Sequence, residues 1–234
     1  MLLNSPYSNP TIWASEVNIY IIEVLKLLSR KLELQAINLK EDFRLNKVTQ
    51  SDEDNVDYED SHYSPVYYDV YEGIDGINFA IDDLFEEHLP SLIRSSAFVT
   101  IYSSLEFEIQ KLCTILQVKE NFSKRYHELR GKGLVQAFEY LEKIAGMGID
   151  KSSIMWKQFK AINEIRNLIV HNDGKIQEKK KGIMNSYKEM AIPGVQFKYE
   201  QDIVLKEGYL EYVIDFFSVV VAFYGKKLCE KYPE

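Results

Sequence analysis

The residues with the greatest capacity for chemistry fall in one short run, Glu164-Ile165-Arg166-Asn167-Leu168-Ile169-Val170-His171-Asn172. An imidazole exchanges protons near neutral pH, so His171 can serve as an acid or a base. A guanidinium is a permanent cation whose planar fork matches two phosphate oxygens, which suits Arg166 to holding a phosphodiester. On a helix, Asn163, Asn167 and His171 stand four apart along one ridge, with Arg166 beside it. An otherwise apolar helix thus carries a polar seam that runs out at Asn172. Asn167 can orient the imidazole or bind phosphate, and Asn163 and Asn172 can support either role. The plainer reading is a solvated face whose terminal His bonds the last helix carbonyls.

Other residues extend or limit this set. Glu106 sits next to Leu105 on a second helix, where a carboxylate can hold Arg166 in place or simply be a half-exposed glutamate. Lys124, Arg125, Arg130 and Lys132, with Lys175 and the run Lys179-Lys180-Lys181, can steer an anionic backbone or be solvated loops. No Gly-rich phosphate loop, Ser-His-Asp ordering or Cys-His pair is evident, and no His/Cys/Asp cluster has ligand spacing. Neither a metal nor a cofactor is expected.

The pattern R-N-x-x-V-H-N, filled by Arg166, Asn167 and His171, resembles the signature of the HEPN superfamily. Leu134 to Leu141, Trp156 with the helix into Arg166, and the Tyr102–Leu105–Glu106 region are similar to bacterial HEPN proteins as well. The likeness covers roughly Tyr67 to Lys231 and leaves Met1 to Pro65 outside. It implies a metal-independent endoribonuclease, acting as a toxin or phage-defence effector, in which the ribose 2′-hydroxyl attacks the adjacent phosphodiester. Arg166, His171 and Asn167 would be catalytic, and DNA would survive for want of the hydroxyl. One imidazole cannot readily be acid and base at once, so the resemblance implies a homodimer with two signatures face to face. Within one chain, His127 is the other candidate acid. An antitoxin or regulatory protein is an implied partner. Some HEPN toxins carry a Tyr two residues after the His that an antitoxin modifies; Asp173 stands there in this chain, which puts that mode of silencing in doubt. The reading from another class is a non-catalytic HEPN-type scaffold that binds a partner protein or a nucleotide.

These residues need a scaffold, and hydrophobic spacing supplies one. The expected fold is all-α: an up-and-down bundle over 66–234, an N-terminal helical extension over 1–47, and a flexible acidic tether over 48–65. The first helix should run from Trp13 to Gln35 on a stripe of Val17, Ile21, Val24 and Leu28. Val70, Ile74, Ile77, Ile81 and Leu84 give helical steps that should stop at Pro90. A long helix follows from Ser91 on the stripe Phe98, Ile101, Leu105, Ile109, Leu112 and Leu116. Further helices should run through Val135, Phe138 and Leu141, and through Phe159, Ile162, Ile165 and Ile169 with Asp150 or Ser152 as cap. A short hairpin is expected over 195–205, then a last helix from Gly208 to Glu230.

Composition sets the setting. With two cysteines, Cys113 and Cys229, and no basic-then-apolar leader in MLLNSPYSNP, a soluble, cytoplasmic protein away from membranes is expected. The net charge of −8 is unevenly placed: Val48 to Ile93 holds 13 acidic residues and no Lys or Arg, and the rest carries 23 acids against 28 bases. Local fields matter more to an anionic partner than the total. The acidic tether could lie over a basic RNA surface and restrain it or be merely a solubilising loop, and Tyr58, Tyr63, Tyr67, Tyr68 and Tyr71 could dock on a basic partner or pack at the entry to the next helix.

Overall fold

The computed structural model describes residues 10–52, 66–172, 174–176, 190, 192–198 and 202–233. The chain enters as one long helical rod: α1 (Pro10–Glu16), a π-helical stretch (Val17–Ile22) and α2 (Glu23–Asn46). The π-helical stretch explains why the spacing misleads there. Its wider turns rotate the helix, so the inward positions step by five from Val17 to Ile22 before resuming at Leu25, Ser29 and Ala36. Val24, expected in the stripe, is therefore 61% exposed. The rod is also longer than expected, and it is not an appendage. Trp13, Val17, Ile22 and Leu25 are buried in the main core.

After the rod, β1 (Val48–Asp52), β2 (Val66–Tyr71) and β3 (Ile74–Asp75) form an antiparallel sheet in that order, with Val48 opposite Val70 and Tyr71 opposite Ile74. This corrects two expectations. The start of the acidic segment is a paired strand rather than a tether; residues 53–65, with Tyr58, His62 and Tyr63, lie outside the described residues. The Val70-Ile74-Ile77 spacing belongs to a hairpin instead of a helix. Glu72 and Gly73 both adopt positive φ, of 51° and 78°, the backbone of a two-residue type I′ turn. The aromatic and β-branched run Val66-Tyr67-Tyr68-Asp69-Val70-Tyr71 feeds it.

Helical structure returns with α3 (Ile81–Asp83), a second π-helical stretch (Leu84–His88) and α4 (Leu89–Lys119), continuous through Pro90. Proline removes an N–H and crowds the carbonyl four residues back; the wide π-helical turn immediately before it accommodates both. Phe98, Ile101, Leu105, Ile109, Leu112 and Leu116 are all buried, as their spacing predicts. Helix α4 is the axis of the molecule, packing against α1, α2, α5 (Gly133–Lys143), α6 (Ile154–Asn172) and α7 (Tyr209–Lys231). The cap of α6 is Ser153, whose Oγ accepts the Trp156 N–H at 3.2 Å; Asp150 organises the turn before it through Ser152. The expected hairpin is present as β4 (Val195–Lys198) and β5 (Asp202–Leu205), and with the unexpected β1–β2–β3 sheet the molecule is predominantly helical with two small sheets. Among the described residues no helix is long and apolar enough to cross a membrane.

The described part of the acidic block has a structural use. Arg44 meets Glu86, Lys47 meets Asp69 and Asp82, Lys198 meets Asp83 and Glu87, and Lys206 meets Glu87. These pairs tie the end of α2 and the two sheets around a small aromatic cluster of Phe43, Tyr71 and Phe85. None of these cations is a candidate RNA contact. The shielding expected of the acidic segment thus finds no contact in its described part.

Candidate functional site

Helix α6 carries Asn163, Arg166, Asn167, His171 and Asn172, and its other face, through Phe159, Ile162, Ile165 and Leu168, is sealed in the core. That burial fixes the rotation of the helix and aims the polar seam outward. Arg166 and Asn167 are half-buried while His171 is exposed in the last turn. The end of α6 is held firmly behind His171. The Gly174 N–H returns to the Leu168 carbonyl at 3.0 Å, the Lys175 N–H reaches the Asn172 carbonyl at 2.9 Å, and the Gly174 carbonyl accepts from Ile203 in β5 at 3.0 Å. Such bonds satisfy carbonyls that a helix end leaves open.

The arginine is gripped from two sides. One Nη donates to the Asn167 amide oxygen at 3.2 Å. Below it, the Tyr102 ring of α4 lies 5.6 Å from the guanidinium carbon, a cation–π arrangement. The Tyr102 hydroxyl donates to the Asn163 side-chain oxygen at 2.6 Å, so one tyrosine braces two of the seam residues. Burial pushes the Tyr102 phenol well above its usual range, Glu106 adds to this and Arg166 opposes it. It is a neutral donor near neutral pH and not a proton-transfer group. The Arg166 Nε is buried without a hydrogen-bond partner among the described residues.

Glu106 does not hold Arg166 through an ion pair. It accepts from Gln110 at 3.3 Å and packs against Gly133, where a Cβ would stand 3.2 Å from both carboxylate oxygens. Gly133 begins α5 with φ +62°, so a carboxylate at this helix start is favourably placed while a side chain on Gly133 is not. Tyr102 takes the bracing role expected of Glu106. It stands beside Ile101 in the long stripe, and a hydroxyl bordering a core position is the signal that would have marked it.

Lys124, Arg125, Arg130 and Lys132 lie exposed on the connection from α4 to α5. That connection is anchored: Tyr140 donates to the Lys124 carbonyl, Gln136 to the Leu129 carbonyl and Tyr126 to Gln110. Gln110 lies eight residues beyond Tyr102 on α4, about 12 Å along the axis. His127, edge-on to Tyr126 at 5.6 Å, therefore belongs to the loop end of the seam and away from the Arg166 end. Lys175 is exposed next to the end of α6, and Lys179, Lys180, Lys181 and Asp173 lie outside the described residues. No protein-family model, curated protein or solved structure matches the chain.

Proposed function

We propose that this chain is a metal-independent endoribonuclease of HEPN-like architecture in which Arg166 and His171 act on the scissile phosphate. The carrying observation is that Arg166 is braced by Tyr102 and Asn167, on the helix whose last turn carries an exposed His171, with neither side chain ion-paired to a carboxylate among the described residues. A preorganised guanidinium stabilises charge that develops on a crowded phosphate, and it does so without reorganising at the moment of reaction. Asn167 and Tyr102 hold the guanidinium in place, and the Tyr102–Asn163 bond keeps that helix face in register with α4.

Among the described residues one protomer offers a single imidazole at this place, since Tyr126, the neighbour of His127, bonds Gln110 about two helical turns beyond Tyr102 on α4. The proposal therefore includes a homodimer in which a second copy supplies the other proton-transfer group. The resemblance of the motif to HEPN toxins supports a role in toxicity or phage defence under control of a partner protein. The test is end-group analysis of RNA incubated with purified protein in excess chelator. The reaction should leave 2′,3′-cyclic phosphate and 5′-hydroxyl ends; 5′-phosphate ends or strict dependence on added metal would discard this mechanism.

A further inference from the structure

Helices α2 and α7 enclose a cleft of about 670 Å³, within the size range of small-molecule sites. Glu23, Glu33, Glu207, Glu211 and Asp215 line it against only Lys26 and Arg30. Lys26 is already taken by Glu23 at 2.9 Å, and the Arg30 Nε turns back to the Lys26 carbonyl at 3.3 Å. The walls are thus negative on balance.

Two polar groups in the cleft lack partners. Ser29 occupies an inward position of α2 and is only 5% exposed, and it lines the cleft. The hydroxyls of Ser104 and Ser218 bond the carbonyl one helical turn earlier, whereas that of Ser29 has no hydrogen-bond partner among the described residues. One turn along, Glu33 gives one carboxylate oxygen to Arg94 at 2.9 Å and keeps the other buried and unbonded. Burial is the main reason its carboxyl is pushed above the ordinary range, a cost that an approaching cation would relieve. A hydroxyl and a carboxylate oxygen four residues apart on one helix face both await donors.

We propose that this cleft binds a small organic polycation, an alkyl chain bearing two or more ammonium groups. Among the described residues no three His, Cys, Asp or Glu groups converge as metal ligands, so the carboxylates are spread too widely for a single metal ion. Spread carboxylates match ammonium groups separated by methylenes. Leu34, Ile37 and Ile214 give those methylenes an apolar wall. An ammonium carries three donors, enough to reach the Ser29 hydroxyl and carboxylates of the cleft wall together. This site stands independently of the ribonuclease reading.

Calorimetric titration of the full chain with spermidine, magnesium ion and a lysine tripeptide, at matched ionic strength, tests the proposal. Spermidine should bind saturably at one site and magnesium should not. The E211Q/D215N variant, changed only at exposed positions, should bind spermidine about tenfold or more weakly, the scale of losing charge-assisted hydrogen bonds, and S29A severalfold more weakly. Absence of saturable binding, equal affinity in E211Q/D215N, or magnesium matching spermidine would overturn it. Preference for the tripeptide would assign the cleft to a protein segment and overturn the small-molecule reading.

Discussion

The cations of this protein meet two different fates. Around the β1–β2–β3 sheet, Arg44, Lys47, Lys198 and Lys206 each close on a carboxylate of the acidic block. At the α4–α6 contact Arg166 leans on a ring and an amide, and on the connection from α4 to α5 Lys124, Arg125, Arg130 and Lys132 have no ion-pair partner among the described residues. Paired charge spends its field inside the molecule, whereas unpaired charge keeps it for a ligand. A sequence-wide net charge of −8 hides this division. The first region is held by its own charges, and the second is the one the proposed reaction would use.

The largest effect that would sharpen the contrast is on catalysis. Replacing Arg166 with Ala should lower the cleavage rate about 10²-fold or more, the scale for one preorganised transition-state donor, while RNA binding suffers less. Comparable loss in kcat and affinity would make Arg166 a binding group instead. Next comes the loop. Changing Lys124, Arg125, Arg130 and Lys132 together to Gln should flatten the dependence of log affinity on log salt by about three, if each meets a single-strand phosphate. An unchanged salt slope would return these residues to plain solvation. Tyr102→Phe should cost about 1 kcal/mol of stability through the lost bond to Asn163, while retaining most activity because the ring stays beneath Arg166. Tyr102→Leu should lose activity as well, measured as kcat under conditions where both variants are folded.

The paired region should answer with the smallest changes. Lys47→Ala removes contacts that are half-exposed, so thermal melts should register about 1 kcal/mol or less and cleavage should not move. Acid should weaken this region. Hydrogen bonds from Lys47, Arg44 and Lys198 hold the carboxyls of Asp69, Glu86 and Glu87 below their ordinary values. Groups lowered in the folded state contribute stability above the unfolded value, near 4, and lose it as pH falls through the folded one. Melting temperature should therefore hold down to about pH 5 and decline below about 4, less steeply in Glu86→Gln/Glu87→Gln. An identical acid decline in that variant would place the loss elsewhere.

Regular helices were legible in the sequence, and irregular ones were not. The stripe of α4 repeats with ordinary helical steps and is buried as read, and the β4–β5 hairpin also stands where its residues suggested. Two π-helical stretches broke the arithmetic elsewhere. One shifted the inward face of α2 so that Leu25 rather than Val24 is buried, and the other let the helix pass through Pro90. Ile74 and Ile77 mimicked helical spacing across a turn that Gly73 makes possible. For the candidate site, Arg166, Asn167 and His171 could be named from types and spacing because they share one helix. Tyr102 could not, because its contact with Arg166 joins positions far apart in the chain and depends on how α4 meets α6. Glu106 failed in its expected role for the same reason.

The central claim is that the unpaired Arg166 and His171 cut RNA, and paired samples of wild type and His171→Ala test it most directly. Both proteins are first shown to melt alike, as an exposed imidazole with no partner among the described residues predicts. RNA integrity is then followed over time at equal concentration in excess chelator. The account predicts fragmentation by wild type, ending in cyclic phosphates, and intact RNA with His171→Ala. Equal fragmentation by the two, or intact RNA with both, would contradict it.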